Sequence, residues 1–348
     1  MRKRMLTLIA ACFYYSGLVS VARWWTKLRE QRLIVLNYHC ATGGDLRRHL
    51  LYLRRHYRVL HLEAALEELY TPHKDRSYRW DHRTMLVLTF DDGYVDNYTH
   101  GFVLARELQV PLTIFLIPGY IESAEHFWWR EGKRLVHRTQ VDEVTIEGHT
   151  YDLNQTGERK ALAQAIDTRL RHATSVAERK AFLASTRKLL AVPASVIPEE
   201  EPTLPLKWVE VREMEESGRV SFGGHTMHHP ILAYLTDPTE VQREVEECRT
   251  ILEQQLGHPV RTFAYPVGQL QHIGDNVLRA VQQAGYDWAF TTVYGYNTSR
   301  SDPYLLRRIE VDVSQHWLVM AAETAGLWSF FSRLRWIPAI RKHLANFI

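Results

Sequence analysis

Two short clusters of residues in this chain have the types and spacing to do chemistry. Thr89-Phe90-Asp91-Asp92-Gly93 sets two carboxylates side by side where an apolar run meets a glycine turn. Neighbouring side chains on an extended chain point to opposite faces. At a turn both can reach one cavity by different routes, one to ligate a cation and the other to act as a base. Alone, Asp-Asp-Gly reads at least as well as an ordinary turn, since both residue types are frequent turn formers. Gly224-His225-Thr226-Met227-His228-His229-Pro230 alters that balance. His225 and His229 are four apart, which on a helical turn puts both imidazoles on one face. Neutral imidazole is a common metal ligand. Two histidines and one carboxylate leave positions on a metal open for water and substrate.

These clusters need elements to hold them. Residues 85–90 (MLVLTF) form the strongest strand signal in the chain and run directly into Asp91. Residues 33–38 (LIVLNY) read as a second buried strand, with His39 at its C-terminal end, and 112–117 (LTIFLI) as a third, closed by Pro118-Gly119. Helical spacing follows Leu46, Leu50 and Leu53. A short strand is expected at 57–60, helices at 62–70 and 103–108, and a loop at 71–83. The alternation stops over 122–205, which holds Trp128, Trp129, a hairpin expected at 144–153, a helical stretch at 157–190 and a Pro/Glu-rich connector at 198–205. This reads as an insertion, or equally as a separate small domain. Alternation resumes with helices at 208–217, 238–256 and 274–284 and strands at 219–222, 262–265, 289–293 and 309–313. Strands alternating with helices imply parallel βα units, and the reactive residues fall at strand C-terminal ends, where barrel enzymes keep their active sites.

Composition narrows the classes. Of 348 residues, 45% are hydrophobic and 24% charged, which suits a globular chain with a real core, and a net charge of +3 gives no basic stripe for nucleic acid. Cys12, Cys40 and Cys248 are odd in number and lack the spacing of a disulfide framework or a cysteine zinc site. Arg2, Lys3 and Arg4 precede an uncharged run from Met5 to Ala22. That run resembles a signal sequence, lies near the lower limit for a membrane span, and also suits a helix in the membrane interface beside Trp24 and Trp25. A buried helix of a soluble protein is the plain alternative. The C-terminal segment, 316–348, mixes aromatics with Arg333, Arg335, Arg341 and Lys342, as surface-binding helices do. Together the two ends favour membrane association, with the basic flanks pointing to a cytoplasmic face and a periplasmic or extracellular site as the alternative.

TFDDG at 89–93 and HTMHHP at 225–230 resemble the first two motifs of the polysaccharide deacetylase (NodB-homology) family. Arg261-Thr262-Phe263-Ala264-Tyr265-Pro266-Val267-Gly268 is similar to a divergent third motif. The resemblance spans roughly 31–121 and 206–315 and implies a distorted (β/α)7-type barrel with a mainly helical insertion at 122–205. It implies Asp91 as general base and Asp92, His225 and His229 as ligands of a divalent metal, read as Zn2+. That metal would lower the pKa of a water and polarise an acetyl carbonyl. It further implies a backbone N–H near Val267 that holds the oxyanion, and an extra His228 that is structural or faces solvent. Two departures stand out. Many members place an Arg, which steadies the base, where this chain has Ala264, and Arg308 in Leu305-Leu306-Arg307-Arg308-Ile309, before a late strand, is the candidate replacement. The usual C-terminal acid histidine is missing from Ile309-Glu310-Val311-Asp312. Relatives acting on poly-N-acetylglucosamine instead carry a strand followed by Tyr-His near the N-terminus, similar to Leu36-Asn37-Tyr38-His39, which makes His39 the candidate acid. Asp287-Trp288 reads as the entrance to a strand and is given no catalytic role.

The expected function is therefore removal of N-acetyl groups from N-acetylhexosamine units of a polysaccharide or lipid-linked glycan. Hydrolysis of another carbon–nitrogen bond on the same fold, such as a cyclic amide, is an alternative. So is a sugar-binding relative without activity, against which Asp91, Asp92, His225 and His229 stand. Expected partners are the glycan and a membrane surface, with no nucleic acid.

Overall fold

Among the described residues the chain forms ten strands, the barrel ones mostly in aliphatic and aromatic runs: β1 Leu33–Tyr38, β2 Arg58–Val59, β3 Met85–Phe90, β4 Leu112–Leu116, β5 Glu143–Ile146, β6 His149–Asp152, β7 Val220–Gly224, β8 Thr262–Ala264, β9 Trp288–Tyr294 and β10 Leu306–Glu310. The structure, a computed structural model, describes residues 2–29, 31–71, 81, 83–123, 125–193 and 204–327. Seven strands close into a parallel barrel in the order β1-β10-β9-β8-β7-β4-β3, and β3 returns to β1 in register from Leu33↔Met85 to Tyr38↔Phe90. β2 adds a short parallel pairing to the start of β3. The chain thus has the (β/α)7 barrel fold.

The period of two along each strand sorts the core. On β3, Leu86, Leu88 and Phe90 pack outward against the surrounding helices, in one cluster with Leu46, Leu50 and Leu53 of helix Leu46–His56. Met85 and Val87 belong instead to a second cluster with Leu33, Val35, Phe115, Ala264, Phe290 and Leu306. The same alternation carries Thr89 and then Asp91 on toward the barrel mouth. Each fully buried aliphatic or aromatic side chain of this kind contributes about 1.5–3 kcal/mol.

Several elements differ from the sequence reading. The last strand begins at Leu306, not 309, so Arg307 and Arg308 lie within it and Arg308 follows Leu306 on the inward line. The strand holds because Arg308 finds a buried partner, which local hydropathy cannot register. The helical stretch near 157–190 is two helices, Thr156–Arg171 and Val176–Leu189, and the expected hairpin is β5–β6. Helix Trp317–Thr324 is buried along most of its length against Ala10. The basic residues 328–348, like most of the 71–83 loop and the 198–205 connector, lie outside the described residues. The N-terminus forms two helices, Arg2–Tyr15 and Leu18–Arg29, bent by 71° between them; no single described helix is long and apolar enough to cross a membrane, although the bent pair qualifies by length and composition. Ala10 and Val19 are fully buried and Tyr14 meets Trp317 edge to face at 5.0 Å, so this segment packs as part of the wall around the barrel.

The insertion packs onto the barrel rather than standing apart. Phe127, Trp128, Leu135, Val144, Leu162, Ile166 and Leu183 share one apolar cluster with Tyr94, Ile117 and Tyr120 from the barrel side. Its helices are tied by Glu131, which is fully buried and takes hydrogen bonds from Arg134 at 2.7 and 2.9 Å and from Arg187 at 2.9 Å. Burial would raise this carboxyl, but the two guanidinium groups outweigh it and hold it below its ordinary range.

Candidate metal and active site

β3 ends at Phe90, and the chain must turn so that two consecutive carboxylates serve one cavity. It does so by placing Asp92 in the left-handed region (φ 72°), followed by Gly93 (φ 70°). A non-glycine residue there costs on the order of 1–3 kcal/mol and persists only where the surroundings fix it. Asp91, still on the inward line, meets Arg308: Nη1 donates to Oδ1 at 2.7 Å and Nη2 to Oδ2 at 2.9 Å. Arg308 also donates through Nε to the Thr291 carbonyl at 2.9 Å, and both members of the pair are almost entirely buried. Burial pushes Asp91 up, but Arg308, His225 and His39 outweigh it, so its carboxyl lies below the ordinary range.

The histidine motif follows β7, whose end is joined to β4 by His225 N donating to Leu116 O at 2.9 Å. The spacing of four does not act through a helix here. Residues 225–230 are an irregular turn in which Thr226 (φ 66°) and His229 (φ 55°) take the left-handed conformation, the former a rare state for a β-branched residue. The Thr226 hydroxyl accepts from His229 N at 2.9 Å and pins the turn. His228 lies apart, its Nδ1 2.7 Å from Glu244 Oε1 and its N–H donating to Glu244 Oε2 at 2.9 Å, which joins the turn to helix Pro238–Leu256.

Asp92, His225 and His229 converge. His225 Nε2 and His229 Nε2 each lie 3.6 Å from Asp92 Oδ1, and the three potential ligand atoms all fall within 4.8 Å of one another. His225 Nδ1 is 2.6 Å from the Ala264 carbonyl and must donate to it, which leaves the Nε2 lone pair facing the cluster. Asp92 Oδ1 is buried without a hydrogen-bond partner. Burial raises Asp92, with His39 and His225 acting against it, and burial with the charges of His225 and Arg179 pushes His229 well below its ordinary value, into the neutral form that ligates metals. An orphaned carboxylate oxygen facing two imidazole nitrogens is the donor set of a hydrolytic zinc-type site. The residues present fit a divalent metal.

His39 stands half-buried after β1, close enough for its charge to act on Asp91, Asp92 and His229. Asp96 and Asn97, which the sequence reading passed over, hold its loop: Asp96 Oδ2 accepts from the N–H groups of Ala41 and Thr42 at 2.8 and 2.9 Å, and Asn97 Nδ2 donates to His39 O at 2.9 Å. Val267 (φ 60°) sits in the turn after β8, where Thr292 Oγ1 donates to its carbonyl at 2.7 Å. Asp287 pairs with Arg261 at 2.6 Å, away from the cluster. Also missed was an aromatic wall supplied by the insertion. The Trp129 ring lies 4.4 Å from that of His229, its Nε1 donates to the Tyr94 hydroxyl at 2.9 Å, and Trp128 Nε1 donates to His229 O at 2.9 Å. Trp128-Trp129 was visible in the sequence, but nothing local tied it to residue 229.

The model of the polysaccharide deacetylase family matches residues 80–201 and 174–289, together more than half of the chain. The chain belongs to this family and is a hydrolase of carbon–nitrogen bonds other than peptide bonds. It is similar to YxkH of Bacillus subtilis strain 168, whose name assigns it to the polysaccharide deacetylases, with 21% identity over 298 residues, or 83% of this chain and 74% of that one. Among solved structures it is similar to IcaB from Ammonifex degensii (TM-score 0.55, 18% identity, 85% of this chain and 98% of that one). It is also similar to the polysaccharide deacetylase BC0361 from Bacillus cereus (TM-score 0.52, 17% identity, 84% and 69%). At such identities the structural likeness concerns the fold.

Proposed function

We propose that this chain is a metal-dependent deacetylase that hydrolyses the N-acetyl group of N-acetylhexosamine units in a polysaccharide or lipid-linked glycan. The observation that carries the reading is the buried convergence of Asp92, His225 and His229 beside an Asp91 clamped by Arg308. Asp92, His225 and His229 would hold the ion, with zinc the metal that best suits two imidazoles and a carboxylate. When bound, it supplies Lewis acidity, acidifying a water and polarising the acetyl carbonyl. Asp91 takes the proton from the attacking water, and Arg308 holds both carboxylate oxygens so that their remaining lone pairs face the cavity. The Val267 N–H steadies the negative charge that grows on the carbonyl oxygen. His39 delivers a proton to the departing amine as the C–N bond breaks, giving acetate and a free amino sugar. Acetate release from a panel of N-acetylated glycans tests this reading. Activity should vanish with chelator and return with zinc, and Asp91→Asn should keep the metal while losing most turnover. Chelator-insensitive release, or joint loss of metal and activity in Asp91→Asn, refutes the assignment.

The N-terminal helices support a second part of the proposal, that the enzyme works at a membrane surface. Leu8, Tyr15, Val21, Trp24 and Trp25 are all more than half exposed although the same helices bury Ala10 and Val19 on the other side. Apolar and tryptophan side chains on one face, with Arg2, Lys3, Arg4 and Lys27 in the same segment, fit an interfacial helix on an anionic leaflet.

A further inference from the structure

We propose that Trp128 and Arg179, both contributed by the 122–205 insertion, are positioning residues that hold the His225–His229 turn in its ligating shape. The insertion then sets the affinity of the site for its metal. This rests on the metal reading above and adds to it a function for the insertion.

The His229 carbonyl is buried and receives two donors, Trp128 Nε1 at 2.9 Å and Arg179 Nη1 at 3.3 Å; Arg179 Nη2 donates to the adjacent His228 carbonyl at 2.6 Å. Both side chains are at least nine-tenths buried, and the Arg179 guanidinium lies 5.2 Å from the centre of the Trp128 ring. They come from different helices, Trp128–Arg138 and Val176–Leu189, and Glu131 of the first locks the two together through Arg187 of the second. Trp129 completes the clamp by covering the His229 ring at 4.4 Å. The turn needs such support, because Thr226 and His229 both hold left-handed backbone conformations, which persist only when neighbours over-determine them. On the barrel side Gly119 N donates to Met227 O at 3.0 Å, and a Cβ at Gly119 would come within 2.3 Å of that oxygen. The turn is thus gripped from two sides, and the insertion supplies the side that touches the ligand His229. Partners that orient a metal ligand typically change metal affinity by about 10–100-fold when removed.

The test uses the full chain, stripped of metal and titrated with zinc against a chromophoric chelator. Trp128→Phe keeps an aromatic ring but removes the indole N–H together with the pyrrole half of the side chain; Arg179→Lys keeps the charge and loses the two-carbonyl fork. Each should weaken zinc binding by about 10–100-fold, read on metal-free proteins that still unfold cooperatively. Hydrogen exchange on the unaltered chain gives a second measurement, since coupling is reciprocal: zinc should slow exchange in helix Val176–Leu189. Zinc affinities within twofold of the parent in both variants, or exchange in that helix indifferent to zinc, overturn the clamp. No zinc binding by the unaltered chain overturns the metal reading itself, and the clamp with it.

Discussion

Replacing Arg308 by methionine removes a charge of similar bulk from the closed interior of the barrel. Two hydrogen bonds to Asp91, at 2.7 and 2.9 Å, and one to the Thr291 carbonyl disappear, and the side chains of the pair are 0% and 3% exposed, so water cannot take their place. Hydrogen bonds to charged groups are worth about 1.5–3 kcal/mol each, and removing one member of a buried ion pair costs about 3–5 kcal/mol, chiefly by stranding the other charge. A loss of about 3–5 kcal/mol at neutral pH is therefore expected, a large share of the roughly 5–15 kcal/mol that ordinarily stabilises a folded protein. Asp91 would also lose its orientation as a base, a function worth about 10²–10⁴ in rate. Urea denaturation gives the first number and acetate release the second, with the loss expected in kcat more than in KM. Arg308→Lys should recover part of the stability through its charge and less of the rate, because an ammonium cannot reproduce the two-pronged contact. Zinc content should stay near the parent value, since Arg308 contacts none of the three ligand residues. A stability change below about 1 kcal/mol with an unchanged kcat would show that the pair neither holds the barrel nor aims the base.

Three further outcomes are expected. His39→Ala should lower turnover by about 10²–10⁴ with zinc affinity near normal, and parent-rate turnover would mean that another group protonates the amine. Burial, with the charge of Glu310 added, pushes Glu323 up to about 7 from an ordinary 4.5. The folded chain thus binds this proton more tightly than the unfolded chain, so Glu323 costs nothing below about 4.5, destabilises increasingly as pH rises to about 7, and carries its full cost above that. Glu323→Gln should accordingly gain up to about 3 kcal/mol at pH 8 and almost nothing at pH 4.5 by chemical denaturation, and parallel stability curves would refute the assignment. For the membrane surface, deleting residues 1–30 is a poor test because it uncovers Leu318, Val319 and Ala322. Leu8→Ser with Trp24→Ser and Trp25→Ser instead leaves the packed face intact and should abolish flotation with anionic vesicles; flotation at the parent level would point to another surface.

The sequence alone determined three of the barrel strands, because LIVLNY, MLVLTF and LTIFLI are each apolar enough to be buried wherever they pair, and His39 and Asp91 follow directly on the first two. It also determined which residue types were at hand: adjacent carboxylates after β3 and two histidines after β7. What brings those histidines together was not legible, since the spacing of four suggested a helical face and the chain uses a strained left-handed turn instead. Arg308 was readable, through the family resemblance, as the candidate partner of the base, but placed before a strand; that it lies inside the strand and points inward follows from a partner 217 residues away in the chain. Nothing in the sequence tied Trp128 or Arg179 to the histidine turn. A tryptophan and an arginine on amphipathic helices look like packing and surface until tertiary structure sets them against the His229 carbonyl, and hydropathy, which counts only near neighbours in sequence, has no means of seeing contacts made 101 and 50 residues apart.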